Sequence, residues 1–224
     1  MGLQSTLHNF ARSVLDTHKF LRGDEMKVRI TPGALLLLAV MLFTGNALFL
    51  ATLLAAAVHE CGHLLAALTL GIRLRLLELD IPGARLLPAG ALPSYAAEGW
   101  LAAAGPASSF LLAALIYPLK GAFFSNLFAA TLSLGVFNLL PVGDFDGGRV
   151  LSAVLTPLCG ERVAARTCLI LSYLSLFFLF SLAATLLLRY GENLSLAVLC
   201  ASLFTRIFLL EGATPLSAQE KRRI

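Results

Sequence analysis

The chain carries little charge and few histidines for its length. Only 13% of its 224 residues are charged, 58% are hydrophobic, four are histidines, and the mean hydropathy is +0.84. Ordinary soluble domains are roughly 25% charged and about 45–50% apolar. The shortage of charge therefore excludes an ordinary soluble globule and predicts a membrane protein.

Pairs of cysteines at metal-binding spacing are also absent. The four cysteines are dispersed and form no Cys-x-x-Cys: Cys61, Cys159, Cys168 and Cys200. This spacing argues against a cysteine-based zinc site and provides no disulfide framework. We interpret all four as apolar filler residues, and Cys61 is expected to project away from the face of its histidine neighbours.

The sequence does contain long uncharged stretches. Six of them lack Lys, Arg, Asp and Glu, apart from Glu60 in the second: 31–45, 47–70, 99–119, 121–143, 167–188 and 193–205. A helix that crosses the hydrocarbon core of a bilayer needs about 20 apolar residues. We therefore predict an all-α polytopic membrane protein with six transmembrane helices, in which Lys120 marks a tight hairpin between the third and fourth.

The basic residues favour one orientation of these spans. If the N-terminus is cytoplasmic, fifteen of the seventeen Lys and Arg fall in cytoplasmic segments, and only Lys120 and Arg189 lie outside. This bias predicts a multi-pass protein of the cell membrane, of the bacterial plasma membrane type, with both termini in the cytoplasm. The net charge of +4 then reflects attraction to anionic lipid. Nucleic-acid binding is not expected, because the cations sit at span ends.

The spans divide the chain into a membrane core and two tails. We expect a cytoplasmic N-terminal tail at 1–30, a six-span core at 31–210 and a short cytoplasmic C-terminal tail at 211–224. The N-terminal tail has no apolar core of the kind found in a cleavable signal. Its apolar residues at helical spacing allow a short interfacial helix, with packing on the protein itself as the alternative. Met26 is an alternative start.

The second span contains the sequence His59-Glu60-Cys61-Gly62-His63, and Glu60 is the only charged residue between Thr31 and Ile72. A charge at the centre of a spanning helix costs about 2.5–3.5 kcal/mol, so it is expected to have a function. Histidines four residues apart share one helical face and can bind one metal ion, and a glutamate after the first is placed as a general base. The pattern predicts a zinc hydrolase site. The alternative is two buried histidines that bond to the backbone or to each other.

A catalytic zinc usually takes three protein ligands. The remaining histidines, His8 and His18, lie in the N-terminal tail. Candidate carboxylates occur at Asp144 and Asp146, at the cytoplasmic end of the fourth span, which the topology places on the same side as the end of the second. Three glycines nearby are expected to allow unusual backbone angles there: Gly143, Gly147 and Gly148. The alternative is an ordinary acidic, glycine-rich turn.

Three sequence elements occur in an order typical of one protein family. They are His59-Glu60-Cys61-Gly62-His63, Ala104-Gly105-Pro106, and Asn138-Leu-Leu-Pro141 followed by Asp146-Gly147-Gly148. Over residues 27–210 the chain resembles the site-2 proteases, which are intramembrane zinc metalloproteases. It is most similar to the six-span branch that includes the sporulation sigma-factor processing protease.

The resemblance implies a zinc ion held by His59, His63 and Asp146, with Glu60 as the catalytic base. It also implies that Asn138 lies near the metal and steadies the substrate or the oxyanion. The alternative for Asn138 is a cap at a helix end.

The chain departs from the family pattern at Asp144, a second carboxylate that is a competing ligand. We favour Asp146, because it keeps the family distance to the glycine pair and to Pro141. Gly105 and Pro106 are expected to serve close packing and a local kink.

The segment between the second and third spans alternates apolar and charged residues over 72–81, with a slip at Leu76 and Leu77. This period of two predicts strands with a bulge, in a short re-entrant β/loop segment that offers an edge to an extended substrate. The alternative is a plain connecting loop. The segment 71–98 is too short for an inserted peptide-binding domain.

The function implied is hydrolysis of a peptide bond in a membrane-embedded or membrane-associated protein near the cytoplasmic side, as in regulated intramembrane proteolysis. A regulatory membrane partner is compatible with this function, and the sequence leaves the oligomeric state open. The alternatives are a prenyl-peptide membrane metalloprotease, a transporter or regulator with a structural zinc site, and a regulator without proteolytic activity.

Overall fold

The computed structural model describes residues 27–32, 35, 38–39, 46–80, 83–90, 92–143, 145–190 and 200. Eight elements follow one another: β1 (Lys27–Ile30), α1 (Ala47–Thr69), β2 (Leu74–Asp80), β3 (Gly83–Pro88), α2 (Tyr95–Ile116), α3 (Ala122–Asn138), α4 (Asp146–Cys159) and α5 (Glu161–Tyr190). The chain divides after Asn138 into two compact units. The first contains the sheet and α1 to α3, and the second contains α4 and α5.

Three of the described helices are long and apolar enough to cross a membrane: α1, α2 and residues Glu161–Arg189 of α5. They correspond to the second, third and fifth predicted spans. The fourth predicted span forms α3, a shorter apolar helix of 17 residues. Most of 31–45 and all of 193–205 except Cys200 lie outside the described residues, as do the C-terminal tail and most of the N-terminal tail, so the six-span count stays a prediction.

The region between the fourth and fifth spans is more helical than the sequence predicts. Residues 144–166 were expected to be a cytoplasmic connection, but α4 occupies 14 residues of it and α5 begins at Glu161. The hydropathy of this segment does not indicate a helix, because it begins with the polar sequence Asp-Gly-Gly-Arg and contains Pro157. Gly160, with a φ of 82°, separates the two helices.

The strands predicted from the alternation at 72–81 are present. β2 and β3 pair antiparallel, with an irregular register between Leu74 and Leu76, close to the predicted slip. β1 pairs parallel with β2, so the sheet order is β1-β2-β3. Strand β1 lies in the stretch assigned to the N-terminal tail and was not predicted, because its four residues are too short a run for alternation alone to indicate a strand.

Helix α1 buries a narrow stripe of small residues and histidines. Its buried positions are Ala51, Ala55, His59, His63 and Ala67, each four residues from the next. Small side chains let neighbouring helices approach closely in a membrane protein. The alanines contribute to two apolar clusters, one near the start of α1 and one near its end. The histidines therefore lie between two apolar layers.

Polar side chains fix where the helices begin. The Asn46 side chain accepts a hydrogen bond from the backbone N–H of Leu48 at 2.9 Å and caps α1. The Ser94 hydroxyl accepts from the N–H of Ala97 at 3.1 Å and caps α2. Such caps stabilise a helix by roughly 1 kcal/mol each and set its register.

The second unit is held together by a loop packed on α5. Val142 is 1% exposed and packs with Leu176, and Leu140 and Phe145 cover this pair. The Ser172 hydroxyl donates to the carbonyl of Pro141 at 3.1 Å and to that of Cys168 at 2.8 Å. The loop that precedes α4 is thus anchored at both its backbone and its side chains.

No disulfide joins any of the four cysteines. Cys200 is buried, which agrees with the interpretation as an apolar filler, whereas Cys61 and Cys159 are exposed. Because Cys61 follows His59 by two residues, its side chain points away from the buried stripe of α1, as predicted.

Candidate metal centre

His59 and His63 lie side by side in the interior of the first unit. They are 3% and 6% exposed, and their rings meet edge to face with centroids 4.9 Å apart. Their Nε2 atoms are 3.3 Å from each other. The helical spacing of four residues therefore brings the two nitrogens together as the sequence predicts.

The other ring nitrogen of each histidine contacts helix α2. His63 Nδ1 lies 2.8 Å from the backbone carbonyl of Leu101. A carbonyl can only accept, so His63 carries its hydrogen on Nδ1 and presents a lone pair at Nε2. His59 Nδ1 lies 2.9 Å from the hydroxyl of Ser109, which can donate or accept. Contacts of this kind orient histidines that bind metals and select their tautomer.

The distance between the two Nε2 atoms fits a shared metal ion. Two nitrogens bound to one tetrahedral zinc at about 2.0–2.1 Å lie about 3.3–3.4 Å apart. A direct hydrogen bond between the rings would normally be shorter, about 2.9–3.0 Å. The alternative interpretation, two buried histidines that bond to the backbone or to each other, is correct for the contact of His63 with the backbone. That contact also suits a metal ligand, because it leaves Nε2 of His63 available.

Gly105 allows both imidazoles to pack directly against α2. A Cβ built on Gly105 would lie 2.7 Å from His59 Nε2 and 2.5 Å from His63 Cε1, and closer still to His63 Nε2. Any side chain at this position would therefore displace the two rings. The expectation that Gly105 serves close packing agrees with these contacts.

Ser108 and Gly62 hold α1 against α2 beside the histidines. The Ser108 hydroxyl donates to the carbonyl of Val58 at 3.0 Å and to that of Gly105 at 2.7 Å. A Cβ at Gly62 would lie 2.5 Å from the carbonyl oxygen of Ala104. The missing side chain thus allows the two backbones to approach, and the hydroxyl fixes their register.

The two predicted catalytic residues occupy different helices of the first unit. Glu60 is half-buried on α1, directly after His59. Asn138 is the last residue of α3, and its side-chain amide donates to the carbonyl of Leu134 at 3.0 Å. Such a contact is expected if Asn138 caps a helix end, which is the alternative interpretation of this residue. Its role near an oxyanion stays a prediction.

Asp146 begins α4 in the second unit. It is 7% exposed, and one carboxylate oxygen lies 3.7 Å from Nη1 of Arg149. A carboxylate in the first turn of a helix is stabilised by the helix dipole. Asp144, the competing ligand, lies outside the described residues.

The glycine pair after Asp146 serves close packing rather than unusual backbone angles. A Cβ at Gly147 would lie 2.6 Å from the carbonyl oxygen of Leu140, and one at Gly148 would lie 2.8 Å from the carbonyl carbon of Val142. Among the described glycines, those with positive φ are Gly71, Gly121 and Gly160. The expectation of special dihedral angles at Gly147 and Gly148 is therefore wrong. The lack of a side chain at these positions instead makes room for the carbonyl groups of the preceding loop.

Comparisons with known proteins give matches in sequence and in fold. The family model Peptidase family M50 matches residues 120–182. A zinc metalloprotease of Methanocaldococcus jannaschii is 30% identical over 119 residues, which are 49% of this chain. The solved site-2 protease of the same organism has a TM-score of 0.56 at 22% identity, covering 84% of this chain and 92% of that one. The chain is thus similar to these metalloproteases in part of its sequence and to the site-2 protease in its fold.

These similarities and the three apolar helices together support a membrane-associated protein. The match covers only 34% of the length of the zinc metalloprotease from M. jannaschii. The similarity to the solved site-2 protease concerns the fold.

The contact of Gly105 with both imidazoles generates a direct test. Gly105→Ala should reduce bound zinc from about one ion per chain to nearly none, because the new methyl group would collide with both rings and displace their Nε2 atoms. Metal analysis of the purified protein measures this. Gly90→Ala is the matched control, since nothing lies within 4 Å of a Cβ there. Normal zinc content in Gly105→Ala would refute the assignment of these two nitrogens to a metal.

Proposed function

We propose that the protein is an intramembrane zinc metalloprotease that hydrolyses a peptide bond in a membrane-embedded or membrane-associated protein. The observation that carries this proposal is the pair of buried Nε2 atoms 3.3 Å apart. They lie on a helix long enough to cross a membrane, and Glu60 follows the first histidine. A metal site with an adjacent carboxylate in an apolar helix is typical of hydrolysis rather than of a purely structural ion.

The ligands that we propose are His59, His63 and Asp146. Each offers one ligand atom and each is buried. Two imidazoles and one carboxylate form a donor set that zinc accepts, and a fourth position remains for water. Preference for Asp146 over Asp144 rests on the family motif and on the buried position of Asp146 at the start of α4.

Each residue has a separate task in the proposed reaction. Zinc, when bound, polarises the scissile carbonyl and activates a water molecule. Glu60 takes a proton from that water and passes it to the leaving amine. Asn138 donates one hydrogen of its amide to the developing oxyanion, while the other can remain bonded to Leu134. Leu101 and Ser109 keep the imidazoles oriented throughout.

A set of substitutions separates the base from the ligands. Glu60→Gln should keep zinc and lower proteolysis by about 10²- to 10⁴-fold, because only the proton acceptor is lost. His59→Ala, His63→Ala and Asp146→Asn should lower zinc content as well. Metal analysis and cleavage of a membrane substrate are measured on the same preparations, with Asp144→Asn as the control.

Two outcomes would contradict these assignments. Loss of zinc in Asp144→Asn with normal zinc in Asp146→Asn would make Asp144 the ligand. Unchanged processing by Glu60→Gln with zinc retained would favour a transporter or regulator with a structural ion, because such a site has no use for a base.

We further propose that the substrate unwinds before cleavage. A helical segment holds its scissile carbonyl in a backbone hydrogen bond, which costs several kcal/mol to break in lipid unless another partner replaces it. Among the described strands, β1 and β3 each have a strand neighbour on one side only, so an outer edge of the sheet can offer backbone partners to an extended segment. This arrangement suits regulated intramembrane proteolysis, with a regulatory membrane partner controlling access.

Substrate helicity should therefore control the rate. Gly, Asn or Pro near the scissile bond should speed cleavage, and Leu or Ala at the same positions should slow it, because the latter stabilise the helix. The measurement is the initial cleavage rate of a matched substrate series at equal concentration. Glu60→Gln is the inactive control for every substrate. Equal rates across the series would exclude unwinding as a limiting step.

The proposed topology has six spans, both termini in the cytoplasm and the site toward the cytoplasmic side. The histidines lie roughly 9 and 15 Å before the end of α1, at 1.5 Å per residue. The Lys120 turn is then external, and Arg75 and Arg162 are cytoplasmic.

Cysteine labelling in intact cells tests this topology. The native cysteines are first replaced by serine, since Cys61 and Cys159 are exposed. Lys120→Cys should react with an impermeant reagent, whereas Arg75→Cys and Arg162→Cys should react only after permeabilisation. External labelling of Arg75→Cys would exclude the proposed arrangement.

A further inference from the structure

Thr131 is the one buried side chain of the described residues whose polar atom has no hydrogen-bond partner. It lies on α3, is 0% exposed, and its hydroxyl oxygen is unsatisfied. Other described helical hydroxyls donate to a carbonyl one turn earlier: Thr52, Thr69, Ser125, Thr156, Ser172, Ser181 and Thr185. A buried hydroxyl without a partner costs about 1–3 kcal/mol, so an unpaired Thr131 calls for an explanation.

A second buried hydroxyl, that of Ser109, can form a further hydrogen bond. Ser109 is 0% exposed, and its hydroxyl contacts His59 Nδ1 at 2.9 Å. If His59 binds a metal through Nε2, Nδ1 must carry the hydrogen and Ser109 must accept it. The hydroxyl hydrogen of Ser109 then requires an acceptor of its own.

The packing of α3 on α2 places Thr131 within reach of Ser109. A Cβ at Gly135 would lie 3.3 Å from the Cβ of Ser109. Thr131 precedes Gly135 by one helical turn on the same buried face, which separates their Cβ positions by about 5–6 Å. The Thr131 hydroxyl makes no direct hydrogen bond to Ser109, and one bridging water would give both hydroxyls a partner. A buried water typically makes two to four hydrogen bonds with such groups.

We propose that one buried water links the hydroxyls of Thr131 and Ser109, and that this chain holds His59 with its hydrogen on Nδ1 for metal binding. Thr131 and Ser109 are positioning residues that act through His59. This inference rests on the proposed metal site, and it adds a water-binding site and two residues outside the ligand set. Partners behind a ligating histidine commonly change metal affinity by about 10- to 100-fold.

The test is the zinc dissociation constant, measured by chelator competition in the Glu60→Gln background so that no proteolysis intervenes. Ser109→Ala should weaken zinc binding by about 10- to 100-fold. Thr131→Val, which replaces the hydroxyl by a methyl group of similar size, should weaken it by about three- to tenfold. Thr131→Ser keeps the hydroxyl and should bind zinc normally. Ser125→Ala is the control on the same helix, because that hydroxyl serves only its own backbone.

A purely structural role for Thr131 predicts the opposite pattern. Thr131→Val would then bind zinc normally and unfold at a higher temperature, because an unsatisfied polar atom is removed, and Thr131→Ser would lose packing. That result would overturn the proposal. The double variant provides a second criterion: Thr131→Val should add no further loss to Ser109→Ala, since it acts through the same hydroxyl. Additive losses would also overturn it.

The result distinguishes this inference from the proposed function. If the parent protein binds no zinc, the metal site itself is wrong. If the parent binds zinc and Thr131→Val binds it equally well, only the water-linked chain is wrong.

Discussion

The close approach of α1 and α2 is the constraint on which the candidate site depends. Both histidines project from α1, but their orientation is set by Leu101 and Ser109 on α2. The helices approach closely because Gly62 has no side chain, and the two imidazoles pack directly against Gly105. A wider separation would release the imidazoles from their partners. Their Nε2 atoms would then lose the 3.3 Å spacing that suits one ion.

This packing also explains how polar groups are accommodated in an apolar helix. The Ser108 hydroxyl bonds to two backbone carbonyls, and His63 bonds to a third. In lipid, an unsatisfied polar group costs several kcal/mol, so each side chain at this level needs a partner within the protein. The apolar clusters on either side of the histidines keep the polar layer narrow. The two histidines therefore lie in the core of the first unit.

The sequence predicted the parts of this arrangement that have a local spacing. Four residues between His59 and His63 place them on one face, and the alternation at 72–81 predicts β2, because both periods follow from backbone geometry. The contact of Ser109 with His59 joins positions 50 residues apart and has no periodic signature. Strand β1 and the positions of Gly105 and Thr131 likewise depend on tertiary packing. Helix α4 was missed because its first turn is polar and rich in glycine.

The histidine pair is preorganised by contacts that lie entirely within the first unit. Because α1 and α2 orient both rings, the conformational entropy of these side chains is lost when the protein folds. Metal binding does not have to order the rings again. Asp146 is held separately, at the start of a helix whose glycine pair packs against the preceding loop. The rigid pair defines where the ion sits, and the carboxylate completes the proposed ligand set. Affinity for the metal therefore depends on side chains of both units, whereas the proposed base, Glu60, belongs to the first unit alone.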